Sequence, residues 1–275
     1  MIVDFHTHHF PDALAPRAIS VLTKKTEGFL WSASDGTLAT QLAHMAIDGV
    51  DKAVLCQIAT KPAQYPFLMK HARAIRDGVY GRAAQEKIVP FLSVHPSDPE
   101  LFAHLDEIAR EGFKGVKFHP YYQDFKLDDP AVWPMFGKIS DLGLVTVIHC
   151  GFDIGYPERR DACGPHETAK LLEAVPDLTL VAAHLGGCAG YEPHAVDRLI
   201  ELGAYADCAT LTRDMYRDEQ LRLLRSWPTE RLLFGTDHPW ADATETLRWV
   251  KRFRDARDLG AILGGNAARL LGIGG

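Results

Sequence analysis

Short apolar, β-branched runs recur along the chain, each followed by a polar or glycine-rich loop and then a helical pattern. The runs are Met1–His8, Lys52–Ile58, Ile88–His95, Gly115–His119, Leu144–Cys150, Leu178–His184, Ala204–Cys208 and Arg231–Asp237. Continuous apolar stretches of roughly four to eight residues between helices mark strands buried on both faces. The segments between them carry helix signals. Ser97-Asp98-Pro99-Glu100 predicts a cap and first turn, closed by Gly112. Asp129-Pro130 opens a helix that Gly143 closes, with Pro134 expected to kink or delay it. Pro165-His166-Glu167 opens another, ending before Pro176. Helical patterns also fit Gln64–Glu86, Glu192–Leu202, Asp218–Arg225 and Thr244–Arg257. Asn266 is expected to cap a last short helix ending near Leu271.

Strand and helix thus alternate eight times in 275 residues. A right-handed parallel βα repeat of eight units, typically ~250 residues, closes into a barrel. The predicted fold is therefore α/β, a (β/α)8 TIM barrel forming a single domain over residues 1–275. An open doubly wound sheet would carry a glycine-rich phosphate turn after its first strand. Here that strand ends in His6-Thr7-His8-His9, and no such motif follows. The one long excursion runs from His9 to Asp48, and its Trp31–Gly36 stretch is a candidate cover for the barrel mouth.

Composition narrows the function classes. With 30 basic and 36 acidic residues the net charge is −6, which gives no basic stripe for nucleic acid. Apolar residues at 47% suffice for a sizeable core and exclude disorder as the main state. No apolar run approaches the ~18–20 residues that span a bilayer, and no signal peptide is expected. The five cysteines show no C-x-x-C spacing, so they are expected to be small buried hydrophobes in a reducing, cytoplasmic setting. Cys150 and Cys188 stand beside motif residues. The expected partner is a small-molecule substrate, with no nucleic acid and no membrane; a homodimer is left open.

The histidines change the picture. Of 13, six (His6, His8, His95, His119, His149 and His184) fall at the ends of predicted strands, joined by Lys117 and Asp237. Barrel active sites are built at the C-terminal ends of strands. By strict alternation Asp4, His6 and His8 share a face, as do Lys117 and His119, Val147 and His149, Ala182 and His184, and Gly235 and Asp237. His9 and His238 fall on the opposite phase and are not expected to be ligands. Three imidazoles and a carboxylate gathered from separate strands make a divalent metal site of zinc type, with room for a water.

Asp4-x-His6-x-His8, Val116-Lys117-Phe118-His119-Pro120, Ile148-His149-Cys150-Gly151, Ala183-His184-Leu185-Gly186-Gly187 and Phe234-Gly235-Thr236-Asp237-His238-Pro239-Trp240 occur in that order. In these motifs the chain resembles the amidohydrolase superfamily. The likeness is to its amidohydrolase 2 branch, which contains the aminocarboxymuconate-semialdehyde decarboxylase-like proteins. It runs from Asp4 to Gly265-Asn266-Ala267. The resemblance implies a distorted (β/α)8 barrel with one divalent metal at the mouth, zinc as the expected ion and manganese the alternative. By motif, His6, His8 and His149 are ligands, and Asp237 is a ligand or near-ligand and the usual proton acceptor. His184 is the usual second catalytic group. Dinuclear relatives carry a carboxylated lysine at the end of strand four. Lys117 could therefore bridge a second metal, or Lys117 and His119 could bind substrate; a single metal is the preferred expectation. His95 is expected to support the site from behind.

Such hardware fits hydrolysis of a C–O or C–N bond next to a carbonyl, in a lactone, ester or amide. It also fits non-oxidative decarboxylation of an aromatic or muconate-type acid, as the resemblance implies. Substrate choice is expected in the loops. The candidates are Tyr121-Tyr122-Gln123, the Phe152–Gly164 loop with Arg159 and Arg160, and the Thr210–Arg217 loop with Arg213. An arginine there suits an acidic substrate. Trp31, Phe67 and Trp240 are candidate apolar walls.

Overall fold

A computed structural model describes residues 1–27, 30–159, 161–187, 191, 194–209 and 217–274. Arg160, Cys188 and Arg213 lie outside these described residues, as does the start of the helix expected at Glu192.

Eight strands form where the apolar runs predict them: β1 (Val3–Thr7), β2 (Lys52–Cys56), β3 (Ile88–Phe91), β4 (Gly115–Phe118), β5 (Val145–Ile148), β6 (Leu180–Ala182), β7 (Tyr205–Asp207) and β8 (Leu232–Leu233). Each is shorter than its run. All pairings are parallel, in a three-stranded sheet β1-β2-β3 and a five-stranded sheet β4 to β8 in order. The sheets meet edge to edge at two seams. Leu92 pairs with Val116 at one, and Thr7 pairs with His238 at the other. At the second seam Phe5 N donates to Phe234 O at 2.8 Å and Asp237 N donates to His6 O at 2.8 Å.

Alternation sorts the core. Val54, Phe91, Val147, Val181, Ala183 and Leu233 pack together in the interior with Val3 and Phe5. Their neighbours Ala53, Leu55, Leu92, Ile148, Leu180 and Ala182 pack outward among helix residues such as Met69, Leu105 and Leu171. Gly115 makes this possible at one point: a Cβ there would stand 2.3 Å from the Phe91 ring and 2.4 Å from the Val145 carbonyl oxygen.

Two phase expectations need correction. The β1 register slips between Asp4 and Thr7, a bulge that separates Asp4 from the face carrying His6. Asp4 instead reaches Thr236 behind the strand, with its Oδ2 accepting the Thr236 hydroxyl at 2.6 Å. In β6, Val181 and Ala183 face inward, so strict alternation would send His184 outward. His184 adopts φ 59° and swings back to the mouth.

The excursion after β1 carries helices α1 (Ala15–Lys25) and α2 (Leu38–Asp48). Its Trp31–Gly36 stretch does lie at the mouth: Ala33 N donates to Pro239 O at 2.7 Å, and Ser34 Oγ is 3.2 Å from His238 Nε2. The stretch predicted as one helix over Gln64–Glu86 is two, α3 (Tyr65–Arg76) and α4 (Arg82–Lys87). Gly78 and Gly81 break it with φ of 74° and 93°. Pro134 delays rather than kinks: the helix is Trp133–Asp141, with Pro134 in its first turn. Asn266 lies inside the helix Asn266–Leu271, and its Nδ2 donates to Thr229 O and Leu232 O at 2.7 and 2.8 Å instead of capping. No helix among the described residues is long and apolar enough to cross a membrane.

Candidate metal centre

His6, His8 and Asp237 bring one donor atom each within 4.8 Å of one another. Their orientation follows from their other contacts. His6 Nδ1 lies 2.9 Å from Asp207 Oδ2, and that carboxylate also accepts His184 N at 2.9 Å and Ala209 N at 3.1 Å. A carboxylate so occupied fixes the His6 proton on Nδ1 and turns the Nε2 lone pair inward. His8 Nδ1 donates to Cys56 O at 2.8 Å, which likewise leaves Nε2 facing Asp237 Oδ1 at 3.1 Å. His6 Nε2 stands 3.4 Å from the same oxygen. Acceptor atoms of three side chains therefore converge, with the Lys117 ammonium 3.0 Å from His6 Nε2 beside them. The donor set fits a divalent ion.

Two further donor groups are poorer cages. His6, His184 and Asp207 cluster, but the Asp207 oxygens are already taken by N–H donors. His119, His149 and Asp153 also cluster. The His119 and His149 rings are stacked, however, at 4.1 Å and 17°. In-plane lone pairs of parallel rings do not converge on one ion. His149, predicted as a ligand, is thus placed beside His184, with His149 Nδ1 3.0 Å from His184 Nε2. His149 Nε2 is buried and without a partner, as is His119 Nδ1. Buried polar atoms of this kind call for a ligand.

The backbone is strained at the same place. Among the described residues five non-glycine positions have positive φ, and His184 (59°), Leu185 (57°) and Asp237 (68°) are three of them. Such strain gathers where a site over-determines the chain. Gly235 lets the strands close in: a Cβ there would meet Asp207 Cβ at 3.1 Å and His6 Cβ at 3.2 Å.

Burial sets the protonation pattern. It pushes the imidazoles of His6, His119, His149 and His184 below the ordinary range, with the Lys117 charge adding to it in each case. For Asp237 burial opposes ionisation, but the His8 hydrogen bond and the electrostatics of the neighbouring His6 and His184 outweigh it and hold the carboxyl below its ordinary range. Asp4 is the reverse: burial outweighs its bonds to Thr236 and His6 and raises it to about 7.

Residues 3–273 match the profile of the Amidohydrolase family. The chain belongs to that family. Among solved structures this amidohydrolase is similar to an uncharacterised TIM-barrel protein from Bordetella bronchiseptica, at TM-score 0.76 and 20% identity, covering 98% of each chain. It is also similar to the 5-carboxyvanillate decarboxylase LigW from Sphingomonas paucimobilis, at TM-score 0.70 and 15% identity, covering 99% of each. A third is an Acinetobacter baumannii protein named a probable 2-pyrone-4,6-dicarboxylic acid hydrolase, at TM-score 0.66 and 14% identity, covering 99% of each. At these identities the likeness speaks for the barrel fold alone. None of the curated proteins matches significantly.

The remaining expected residues of the amidohydrolase fall as follows. Lys117 is buried, its Nζ 3.0 Å from His6 Nε2. His119 Nε2 stands 3.3 Å from Asp153 Oδ2, and the ring stacks on Tyr122 at 3.7 Å. Tyr121 is buried and donates to Arg159 O at 3.1 Å. The Arg159 guanidinium pairs with Asp124 at 3.1 Å. His95 Nδ1 accepts Ser97 N and joins none of the three donor groups. His9 and His238 turn away, as their phase predicts, to Gln41 and Ser34. Phe67 is 73% exposed, so it is not a pocket wall. Cys56, Cys150, Cys163 and Cys208 are buried free thiols; burial pushes the first two up to about 12. Sequence reasoning missed Asp207, although it ends β7 as the histidines end their strands. It also missed Asp153, which only loop packing brings to His119.

Proposed function

We propose that this amidohydrolase is a metal-dependent hydrolase of a C–O or C–N bond next to a carbonyl, in a small acidic lactone, ester or amide. The observation that carries the reading is Asp237, buried yet held ionised beside His8 and His6. Two imidazole lone pairs, His6 Nε2 and His8 Nε2, converge with it, and the Lys117 ammonium stands beside them; an ionised carboxylate in that set suits taking a proton from water better than delivering one to carbon.

His6, His8 and Asp237 would hold the ion, with His149 the further imidazole that the motif supplies. When bound, a divalent ion supplies Lewis acidity, which polarises a carbonyl oxygen and acidifies water. Asp237 takes the proton of the attacking water on its carboxylate and returns it to the leaving group. Asp207 and Cys56 O fix the tautomers of His6 and His8, so their lone pairs stay directed inward. His184, fixed by its backbone bond to Asp207, orients the nucleophile. The Asp153 carboxylate favours a proton on His119 Nε2, leaving Nδ1 to accept a hydrogen bond from a substrate hydroxyl. Lys117 is placed to stabilise negative charge developing on a substrate oxygen.

Turnover in 18O-labelled water tests this, with lactones, esters and amides assayed beside aromatic and enoic carboxylic acids. Label in the carboxylate product, lost on chelation, is the expected result. Carbon dioxide release with no label in the organic product would overturn it in favour of a carboxy-lyase, the activity named for the similar LigW.

A further inference from the structure

The mouth carries a cation that the proposed chemistry does not use. Lys25, the last residue of α1, lays its Nζ 3.2 Å from the centre of the Tyr156 ring and 5.7 Å from that of Tyr122. Its stem crosses Gly155, where a Cβ would stand 3.4 Å from Lys25 Cδ. The loop beneath is shaped by Asp153, whose Oδ1 accepts Gly155 N at 2.6 Å. Lys25 makes no ion pair among the described residues, although Asp153 Oδ1 and Lys25 Cε stand 3.0 and 3.5 Å from that same Gly155 Cβ position. Aromatic faces hold a cation without neutralising it.

Lys25 is also connected to the donor cluster. Tyr122 stacks on His119 at 3.7 Å and 9°, His119 stacks on His149 at 4.1 Å, and His149 meets His184. The two partnerless buried nitrogens, His119 Nδ1 and His149 Nε2, belong to this row. The row therefore runs from the Lys25 ammonium to the reacting end, past polar atoms that lack a partner. Arg159, one of the arginines expected to read an acidic substrate, pairs with the exposed Asp124.

We propose that Lys25, on its Tyr156 and Tyr122 platform, is a specificity-determining residue that binds a carboxylate of the substrate remote from the reacting bond. The substrate class is then a small planar acid carrying a second carboxylate. This rests on the reading that the reacting end lies at His6, His8 and Asp237.

The test uses isophthalate, with two carboxylates, and benzoate, with one, titrated calorimetrically into the zinc-supplemented chain. Isophthalate is expected to bind more tightly than benzoate. Lys25→Met should weaken isophthalate about tenfold, as for loss of one charge-assisted hydrogen bond, and leave benzoate unchanged. Lys25→Arg should restore the preference. Equal isophthalate affinity in the wild type and Lys25→Met, or no isophthalate binding to the wild type, overturns the proposal. Because Lys25 is exposed, neither substitution threatens the core. Zinc content of the same samples separates the two readings. A chain that takes up no zinc overturns the metal-dependent hydrolase, while the isophthalate comparison still decides Lys25.

Discussion

Lys117 Nζ lies 3.0 Å from His6 Nε2, the nitrogen of that ring left open by its bond to Asp207. An ammonium and a metal ion therefore address the same lone pair from neighbouring positions. Two unit charges at ~4 Å interact by about 4 kcal/mol at an effective dielectric of ~20. Lys117→Met should then tighten the first equivalent of zinc by at least about tenfold in a competition titration. Elemental analysis should give one equivalent per chain, unchanged by bicarbonate. Two equivalents that appear only with bicarbonate would mean a carboxylated Lys117 bridging a pair of ions.

Asp237→Asn removes the proton acceptor while keeping its shape. A fall in kcat of about 10²–10⁴ is expected, the range for a lost general base. His184→Ala should also lower kcat while leaving zinc content near that of the wild type. Normal turnover by Asp237→Asn would remove Asp237 from the chemistry.

Asp207 is assigned a positioning role. Asp207→Asn should weaken metal affinity about 10–100-fold, as for other carboxylates behind a ligating histidine. Circular dichroism should be unchanged, because an asparagine oxygen can still accept the backbone N–H of His184 and Ala209.

Much of this was written in the sequence, and the exceptions have physical causes. The strands and the His6, His8, His149, His184 and Asp237 positions follow from burial on both faces and from the strand-end rule. The β1 bulge and the left-handed turn at His184 do not, because alternation assumes an unbroken ladder. Their effects differ: the bulge took Asp4 away from the site, and the turn returned His184 to it. Asp207 was open to the same strand-end reasoning, but attention to histidine passed it by. Lys25 and Asp153 could not be found this way. Their neighbours are distant in the chain, His119 for Asp153 and Tyr122 and Tyr156 for Lys25, and local pattern carries no such information.

Acid should remove the stability that the neutral His9 contributes. Burial pushes His9 down to about 3 from 6.5, so between those values the unfolded chain binds the proton and the folded chain does not. The His9 contribution is complete above pH 6.5 and is lost as pH falls towards 3. At pH 5 the loss amounts to about 2 kcal/mol. Asp4, raised to about 7, gains stability over the same range, so the His9 contribution is read as a difference: from pH 7 to pH 5 the wild type should lose about 2 kcal/mol relative to His9→Gln in thermal melts. An equal slope in that variant would assign the effect to the other buried histidines.

Thr236 secures Asp4 at the closing seam, donating its hydroxyl at 2.6 Å and its N–H at 3.0 Å. Thr236→Val keeps the shape and strips a buried carboxylate oxygen of its donor. The expected cost is about 2 kcal/mol. The melting temperature should fall by roughly 4–8 °C.

That seam has a mechanical meaning. His6 lies in the first strand of the three-stranded sheet and His8 directly follows it, whereas Asp237 follows the last strand of the five-stranded one. An ion shared by them acts as a clasp across the edge where the barrel is stitched by few backbone bonds. Loading would slow deuterium uptake at the Phe5 and Asp237 amides, whose bonds cross that edge. Losing the ion would loosen the barrel along a single line, so this protein's occupancy could be followed as the breathing of one seam.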